Sequence, residues 1–397
     1  MNTQQEVSFR VSKDDLGDAV AWVASNLPSK PVQPVLRAIV VNVNEEGLEL
    51  RGFDSELSTR VIIPAEVNTH GTFAVAGKLL ADITKTLPNK QVDFSTDSTK
   101  VYLRCGSARF ELPLVPLDDY PKVPTIPETT GTIEANIFSR AINQVAAAAG
   151  RDDTLPMLTG VHVEISDKNI VMSATDRFRL AQRRLEWNPA YPGLETKLLI
   201  PAKTLQDNAR SLDNNQVEPV KVAVGAGEKL GNEGLFGLEI NNRQTTTRML
   251  DAEFPNIEPL LPKAHTYMAM VEIARLQEAI RRVSLVTERN AQIRLEFSAD
   301  EVILSAGGID GGHAEESLPC VFIGPESLTI AFNPIYLRDG LSVIETNNVV
   351  FGFTEASRPA ILIPEPEEGL PELGPDGSYP SPQTDFTYLL MPVRLPS

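Results

Sequence analysis

Apolar residues recur at helical spacing in three segments of the chain: SKDDLGDAVAWVASN (residues 12–26), NIFSRAINQVAAAAG (136–150) and EIARLQEAIRRVSLV (272–286). In each segment a large apolar residue, an alanine, a β-branched residue and a valine occupy positions i, i+3, i+4 and i+7 of one helix face. These positions are Leu16, Ala19, Val20 and Val23, then Phe138, Ala141, Ile142 and Val145, then Leu276, Ala279, Ile280 and Val283. The pattern predicts three amphipathic helices that are copies of one another.

Each predicted helix is followed by two alternating stretches that meet at a short polar turn, at AIVVNVNEEGLELRGF (38–53), GVHVEISDKNIVMSAT (160–175) and IRLEFSADEVILSAGG (293–308). Alternating apolar and polar residues around such turns predict β-hairpins. A second, shorter helix is expected after each hairpin, at GKLLADITKTL (77–87), AKTLQDNARSL (202–212) and PIYLRDGLSVI (334–344). Further strands are expected at 92–115, 220–242 and 348–365.

The repeating unit is a whole domain, because matched positions recur at intervals of about 120 to 140 residues. Proline-bearing stretches at 118–131 and 251–265 favour extended connectors between domains. We therefore predict an α+β fold of three repeated domains, at residues 1–128, 129–262 and 263–397.

Charge and cysteine content narrow the possible classes of protein. The chain has 53 acidic and 36 basic residues and a formal net charge of −17, which argues against attraction of the whole chain to phosphate or anionic lipid. A locally basic surface remains compatible with that balance. Cys105 and Cys320 lie far apart, which favours a reducing compartment over a disulfide framework. The start, MNTQQEVSFR, has no apolar signal region, and no later apolar run would cross a bilayer, so we expect a cytoplasmic protein without membrane contact.

Motifs for catalysis, metal binding and cofactor binding are missing from the sequence. The four histidines are far apart, and neither cysteine has a C-x-x-C partner, so a metal site has no support. Gly225, Gly227 and Gly231 do not have the spacing of a dinucleotide-binding loop. Adjacent acidic pairs such as Asp152 and Asp153 point in different directions and do not face one substrate. We expect no catalytic residue, no metal and no cofactor.

The stretch SATDRFRLA (173–181) is an arginine-rich elbow in this acidic chain. An aspartate follows the second hairpin strand in all three repeats, at Asp54, Asp176 and Asp310, which suits a turn that bonds its own backbone. The middle copy alone continues with Arg177, Phe178, Arg179 and Leu180. The chain ends in FTYLLMPVRLPS (386–397), which is either a closing strand or one wall of an apolar groove that accepts varied peptides.

Four motifs together resemble the bacterial sliding clamp family, the β subunit of DNA polymerase III, along nearly the whole chain. They are SATDRFRLA (173–181), DAEFPN (251–256), IAFNPIYL (330–337) and YLLMPVRLP (388–396). The resemblance implies three DNA-clamp domains, each with two helices packed on antiparallel sheets, that form half of a six-domain ring. It also implies a non-catalytic processivity factor, a head-to-tail homodimer that encircles duplex DNA without sequence preference. The replicative polymerase, the clamp loader and other partners would dock a short motif into a groove between the second and third domains.

The resemblance also assigns roles to individual residues of this sequence. The expected peptide-binding groove comprises Leu158, Thr175, Arg177, Phe178, Arg179, Leu180, Pro255, Leu260, Asn333, Tyr336, Leu389, Met391, Pro392, Val393 and Arg394. The expected subunit contact comprises Phe110 and Leu112 at one end and Leu285 and Val286 at the other. Among the cations on or near the helices that would line the hole, we expect Lys30, Arg151 and Lys203 to face DNA. Acidic residues on the same helices leave a small excess of positive charge, which suits sliding.

Two features depart from the family pattern. Many relatives have Gly followed by His or Tyr where this chain has Arg177 and Phe178, a change that would narrow or recharge the groove entrance. The segment EPEEGLPELGPDGSYPSPQTD (365–385) is an insertion whose composition predicts a mobile loop. Two other functions stay open from the residues: an enzyme with an unrecognised site, and a three-domain peptide-binding scaffold that never encircles DNA.

Overall fold

The computed structural model describes residues 6–212, 217–225, 234–287, 292–307 and 311–394. The chain divides into two compact units. The first unit comprises residues 1–134 and 216–249, and the second comprises residues 135–215 and 250–397. The middle sequence repeat therefore contributes to both units.

In the first repeat, the predicted helix begins at Lys13 and is capped by Ser12, whose Oγ accepts the N–H of Asp15 at 3.5 Å. This cap satisfies one of the free N–H groups of the first turn. The apolar face predicted from Leu16 to Val23 is buried. The elements, with 3-10 helices written as η, are β1 (Ser8–Ser12), α1 (Lys13–Ser25), η1 (Pro34–Arg37), β2 (Ala38–Asn44), β3 (Gly47–Phe53), β4 (Leu57–Ile63), β5 (Glu66–Thr69), β6 (Gly71–Ala76), α2 (Gly77–Thr86), β7 (Gln91–Thr96), β8 (Lys100–Cys105) and β9 (Ala108–Pro113).

The second repeat has the same order of elements, and the predicted face from Phe138 to Val145 is again buried. Its elements are β10 (Thr129–Ile133), α3 (Ala135–Ala146), α4 (Pro156–Thr159), β11 (Gly160–Ser166), β12 (Asn169–Thr175), β13 (Arg179–Glu186), β14 (Asn188–Pro189), β15 (Glu195–Pro201), α5 (Ala202–Arg210), β16 (Val220–Gly225), β17 (Leu235–Ile240) and β18 (Arg243–Arg248). All the helices and hairpins that the sequence predicts for this repeat are confirmed.

The third repeat buries the face from Leu276 to Val283 in the same way. Its elements are η2 (Glu258–Leu260), β19 (Ala264–His265), β20 (Tyr267–Glu272), α6 (Ile273–Val283), η3 (Ser284–Val286), β21 (Ile293–Phe297), β22 (Glu301–Gly307), β23 (His313–Pro319), β24 (Val321–Ile323), β25 (Leu328–Phe332), α7 (Pro334–Ser342), β26 (Asn348–Phe353), β27 (Ala360–Pro364), β28 (Tyr379–Pro380) and β29 (Phe386–Leu390). The fold is thus α+β with three copies of one domain type, as predicted.

Antiparallel sheets of the first unit join two sequence repeats. One sheet has the order β5-β1-β7-β8-β9, and a second contains the run β10-β16-β17-β18-β4-β3-β2-β6. The join is between β18 and β4, where Thr245 lies opposite Thr59. A polar side chain crosses this join, because Arg60 of β4 donates to Gln244 of β18 at 3.0 Å. Arg60 also donates to Glu49 of the neighbouring β3 at 2.6 Å. These bonds compensate for the burial of the Glu49 carboxylate.

The second unit repeats this arrangement with the order β15-β11-β12-β13-β29-β27-β26-β20-β24 in a nine-stranded sheet. Here the last long strand of the chain, β29, pairs with β13 of the middle repeat. A four-stranded sheet, β23-β22-β21-β25, completes the unit. Helices α3 and α5 pack on each other, as do α6 and α7. The main core lies between α6, α7 and these sheets and includes Phe297, Phe351, Phe353 and Tyr388.

The insertion at 365–385 differs from the predicted mobile loop, because it is paired and packed. Its Tyr379 and Pro380 form β28, which lies against His265 and Ala264 of β19. Leu370 and Tyr379 pack on an apolar cluster of the second unit. Composition alone missed these two apolar anchors among the prolines, glycines and acids.

None of the helices in the described ranges is both long and apolar enough to span a membrane.

Candidate functional site

The elbow is a tight turn between β12 and β13. The Asp176 carboxylate accepts the N–H groups of Phe178 at 3.0 Å and Arg179 at 3.1 Å. Thr175 Oγ1 donates to the Arg179 carbonyl at 2.7 Å and accepts the N–H of Arg177 at 3.2 Å. Arg177 adopts a φ of 82°, and both its side chain and that of Phe178 are exposed. The turn therefore buries its polar ends and projects two large side chains outward.

The first repeat contains the same turn. Asp54 accepts the N–H groups of Glu56 at 3.0 Å and Leu57 at 2.6 Å, and Ser55 has a φ of 87°. The turn role predicted for Asp54 and Asp176 is therefore confirmed. Asp310, the predicted counterpart in the third repeat, lies outside the described residues, but the following Gly311 has a φ of 80°.

Arg179 holds the elbow against helix α7. Its buried guanidinium donates from Nε to Asp176 at 2.9 Å and from Nη1 to Asp339 at 2.5 Å, and it lies 4.5 Å from the ring centroid of Tyr336. Burial alone would lower the pKa of Arg179, but the neighbouring Tyr388 and the two carboxylates raise it above its usual value. Arg179 is therefore a positioning residue for Tyr336, and only 8% of its side chain is exposed.

The C-terminal segment lies beside the elbow in the structure. Strand β29 pairs with β13 so that Leu389 lies opposite Leu180. Beyond the strand, Met391 N–H donates to the Phe178 carbonyl at 2.9 Å, and Val393 N–H donates to the Ala331 carbonyl at 2.8 Å. Residues 386–390 are thus a closing strand, and the residues after it run alongside the elbow. A role for these last residues as one wall of a peptide groove stays a prediction.

Apolar residues of the elbow, the tail and the connector all belong to the second unit. Leu180 and Leu389 are buried in a cluster shared with Ile257 and Ile361. Four other predicted groove residues are exposed: the exposed fractions are 55% for Phe178, 46% for Leu260, and 38% for both Met391 and Val393. Phe178 stacks on Tyr336 with ring centroids 5.9 Å apart. Exposed apolar residues concentrated in this way mark a site for a partner.

Other predicted groove residues have supporting roles. Asn333 caps α7, since its Oδ1 accepts the N–H of Ile335 at 2.9 Å. Leu158 is buried, and its carbonyl accepts the N–H of Gly150 at 2.7 Å. Pro255 and Arg394 are exposed, and Pro392 is half-buried. The structure therefore brings elbow, tail and α7 together, while Leu158 and Asn333 stabilise the backbone around them.

Sequence reasoning missed several residues that shape this site. Asp339 carries no motif that would reveal its ion pair with Arg179. Ile335, at the start of α7, is an exposed apolar residue beside the groove residue Tyr336. His162 stacks on Phe254 of the connector with ring centroids 4.8 Å apart, and burial lowers the pKa of His162, which favours its neutral form. A stacked neutral histidine in this place holds the connector that carries Pro255 and Leu260.

Family models of the DNA polymerase III beta subunit match all three repeats. The N-terminal domain model matches residues 7–124, the central domain model 132–256 and the C-terminal domain model 258–373. The chain belongs to the DNA polymerase III beta subunit family. It is a DNA sliding clamp, and as such a non-catalytic processivity factor.

Relatives and solved structures agree with this family over the full chain. The beta sliding clamp of Streptomyces coelicolor is 42% identical over 98% of this chain and 100% of its own. A beta sliding clamp homolog of Streptomyces muensis, GriR, is 41% identical over 97% of this chain and 99% of its own. A sliding clamp structure from Pseudomonas aeruginosa, bound to griselimycin, is 25% identical with a TM-score of 0.85, covering 98% of this chain and 100% of that chain. The sliding clamp structure from Bacillus subtilis is also 25% identical, with a TM-score of 0.87, and covers 98% of this chain and 100% of that chain.

The residues predicted for the clamp's subunit contact differ in exposure. Leu285 in η3 is 81% exposed, and Val286 beside it packs partly on the core. Phe110 lies half-buried on β9, an edge strand of its sheet. Leu112 on the same strand is only 4% exposed and packs into the core of its own unit, so its part in a subunit contact stays a prediction. Strand alternation turns Phe110 and Leu112 to the same, core-facing side.

Most helix cations of this clamp are already paired with acids. Lys203 bonds Asp207 at 2.7 Å, one helical turn along α5. Arg140 bonds Glu345 at 2.8 Å. Lys30 and Arg151 are exposed and form no salt bridge within the part of the chain that the structure describes. Of the three predicted DNA-facing residues, Lys203 therefore has its charge partly neutralised.

The described residues contain no group of three His, Cys, Asp or Glu side chains that could hold a metal ion. Gly225 ends β16 and pairs with Leu235 in a hairpin. Gly227 and Gly231 lie outside the described residues.

Proposed function

We propose that this sliding clamp acts in the cytoplasm as a head-to-tail homodimer that encircles duplex DNA. Each chain contributes three domains, bounded near residues 128 and 262, to a ring of six. The groove between the second and third domains binds short motifs of the replicative polymerase, the clamp loader and other replication or repair proteins. The clamp does no chemistry, and its function is to keep these partners on DNA.

The observation that carries the groove assignment is the pairing of β29 with β13. It places Met391 next to Phe178, through a backbone hydrogen bond of 2.9 Å, although the two residues lie far apart in the sequence. The result is an exposed apolar rim over a buried leucine floor. Methionine adapts its shape readily, which suits a site that accepts several different peptides. A groove of this chemistry matches short motifs with two or three large apolar residues.

The charge distribution supports loose contact with DNA. A net charge of −17 and the pairing of several helix cations with acids reduce the positive charge available to phosphate. Few phosphate contacts mean weak, sequence-independent attraction, so the clamp can move along the duplex. Closure around DNA, and not affinity, then retains the protein. An acidic exterior also disfavours binding of DNA outside the ring.

Tethering explains how such a clamp raises processivity. A polymerase bound in the groove stays near the primer end, so its rebinding becomes an intramolecular step with a high effective concentration. Affinity for each partner can stay moderate, which lets partners exchange.

Calorimetry with a short peptide tests the groove directly. The peptide carries Gln followed by Leu and Phe, and it is titrated into wild type, Met391→Ala and a truncation from Met391 onward. Each large apolar side chain that becomes buried contributes about 1.5 to 3 kcal/mol, so the truncation should weaken binding by a factor of about one hundred or more. Val32→Ala, at a fully exposed apolar residue of the first unit, is the matched control. Equal affinity for truncation and wild type would show that the tail is a closing strand only.

A further inference from the structure

The backbone of the elbow does not require an arginine at position 177. The equivalent turn position carries Ser55 in the first repeat and Gly311 in the third, and the φ values are 87°, 82° and 80° for Ser55, Arg177 and Gly311. Glycine is the residue that tolerates this conformation best, and residues with a Cβ rarely adopt it. The long side chain of Arg177 therefore gives no conformational advantage to the turn. It occurs in the one copy of the turn that borders the groove.

The guanidinium of Arg177 has no ion-pair partner in the described part of the chain, whereas the carboxylates around it already accept hydrogen bonds from other groups. Asp176 accepts the turn N–H groups and Arg179 Nε, and Asp339 accepts Arg179 Nη1. Asp152 accepts the N–H of Thr154 at 3.0 Å and its hydroxyl at 2.6 Å. The guanidinium of Arg177 is exposed and makes no hydrogen bond or salt bridge within the described ranges.

The charge of Arg177 acts on one neighbouring carboxylate, that of Asp152. The pKa of Asp152 is lowered, mainly by the hydrogen bonds from Thr154 and to a smaller degree by the charge of Arg177. Asp152 belongs to the loop that leads into Leu158, a predicted groove residue. The elbow thus exposes a cation, Arg177, which is unpaired among the described residues, next to the exposed aromatic ring of Phe178.

We propose that Arg177 selects partner peptides that carry a carboxylate beside the apolar residues entering the groove. This inference rests on the proposed function of the groove and names the class of peptide it prefers. The apolar anchors bind on Leu180, Leu389 and Met391, and the acidic side chain pairs with the Arg177 guanidinium at the rim. One solvent-exposed ion pair changes affinity by about two- to fivefold and weakens as salt rises. Such a contact changes the relative affinities of different partners, while the apolar anchors provide most of the binding free energy.

Matched peptides test the preference. Two pairs of fluorescent peptides all share the Gln, Leu and Phe anchors. The members of a pair differ by Glu or Gln at one flanking position. This position lies before the anchors in the first pair and after them in the second. Fluorescence anisotropy at low and high ionic strength is measured for wild type, Arg177→Gln and Arg177→Gly. Arg184→Gln, at an exposed arginine of the same strand β13, is the control with an equal change in net charge.

We expect wild type and Arg184→Gln to bind the Glu peptide of one pair about two- to fivefold more tightly at low salt. Both Arg177 variants should bind the two peptides of each pair equally. Arg177→Gly should also leave the melting temperature unchanged or raised, because glycine accepts the positive φ. If wild type prefers neither peptide of either pair, or if the preference survives in both Arg177 variants, the inference is wrong. If wild type binds none of the peptides, the groove assignment itself fails.

Discussion

Arg179 and Asp339 connect the elbow to helix α7 through a 2.5 Å contact between Nη1 and Oδ2. The same guanidinium lies over the ring of Tyr336, on which Phe178 stacks. One buried side chain therefore positions the aromatic part of the groove.

Replacing Arg179 by Gln should destabilise the second unit and weaken peptide binding together. The substitution breaks two ion pairs of a buried cation, but Asp339 is 42% exposed and regains water, so we expect a loss of about 2 to 3 kcal/mol in the free energy of unfolding. Urea denaturation measures the stability, and calorimetry measures the peptide affinity. Arg184→Gln should change neither. An Arg179→Gln protein with wild-type stability and affinity would contradict the positioning role.

Leu285→Asp should yield monomers. Leu285 is 81% exposed in the single chain, so a carboxylate there is harmless until a subunit contact buries it. A head-to-tail ring needs a patch at each end of every chain, and loss of one patch opens both joints. Light scattering after size exclusion reports the mass, and Val32→Asp is the control at another exposed apolar residue. A Leu285→Asp protein that stays dimeric would place the interface elsewhere.

Substitution of Lys30, Arg151 and Lys203 by Ala should weaken retention on DNA and flatten its salt dependence. Each lost phosphate contact lowers the slope of log affinity against log salt by about 0.9. The Lys203 change should have the smallest effect, because Asp207 already pairs with it at 2.7 Å. Lys100→Ala, at a lysine paired with Glu111, is the control. An unchanged slope in the triple variant would mean that these side chains do not face DNA.

His265 should make stability depend on pH between neutral and pH 5. Burial lowers the pKa of His265 to about 4, whereas its value in the unfolded chain is about 6.5. Between these values the unfolded chain binds a proton that the folded chain does not, so stability falls as pH falls. The loss from pH 7 to pH 5 should be about 2 kcal/mol.

His265→Gln removes this titration and keeps a partner for Ser381, whose Oγ lies 3.2 Å from Nε2. Urea denaturation of the variant should lose about 2 kcal/mol less than wild type between the two pH values. His70→Gln, at an exposed histidine, should behave as wild type. Identical pH profiles for wild type and His265→Gln would show that His265 does not titrate in this way.

Local patterns predicted the helices and hairpins well, because each helix must bury one face and each hairpin one side. The positions from Leu16 to Val23 and their counterparts are all buried as expected. Pairings between distant strands could not be predicted in this way. The periodicity of β4 does not indicate that it pairs with β18, and the periodicity of β13 does not indicate that it pairs with β29. The proposed groove depends on the pairing of β13 with β29.

The errors also have physical causes. The insertion was expected to be mobile from its prolines, glycines and acids, yet Leu370 and Tyr379 are enough to fix it on an apolar face. Asp339 was missed because a single carboxylate on a helix has no sequence signature.

Retention on circular DNA tests the encircling ring most directly. The clamp is loaded on a nicked circular plasmid by its own clamp loader, and bound protein is separated by gel filtration at high salt, before and after a restriction enzyme linearises the plasmid. We predict that wild type stays with the circle and leaves the linear form, and that monomeric Leu285→Asp is retained on neither. Release from intact circles at high salt, or equal retention on linear DNA, would contradict topological linkage and favour a peptide-binding scaffold that does not encircle DNA.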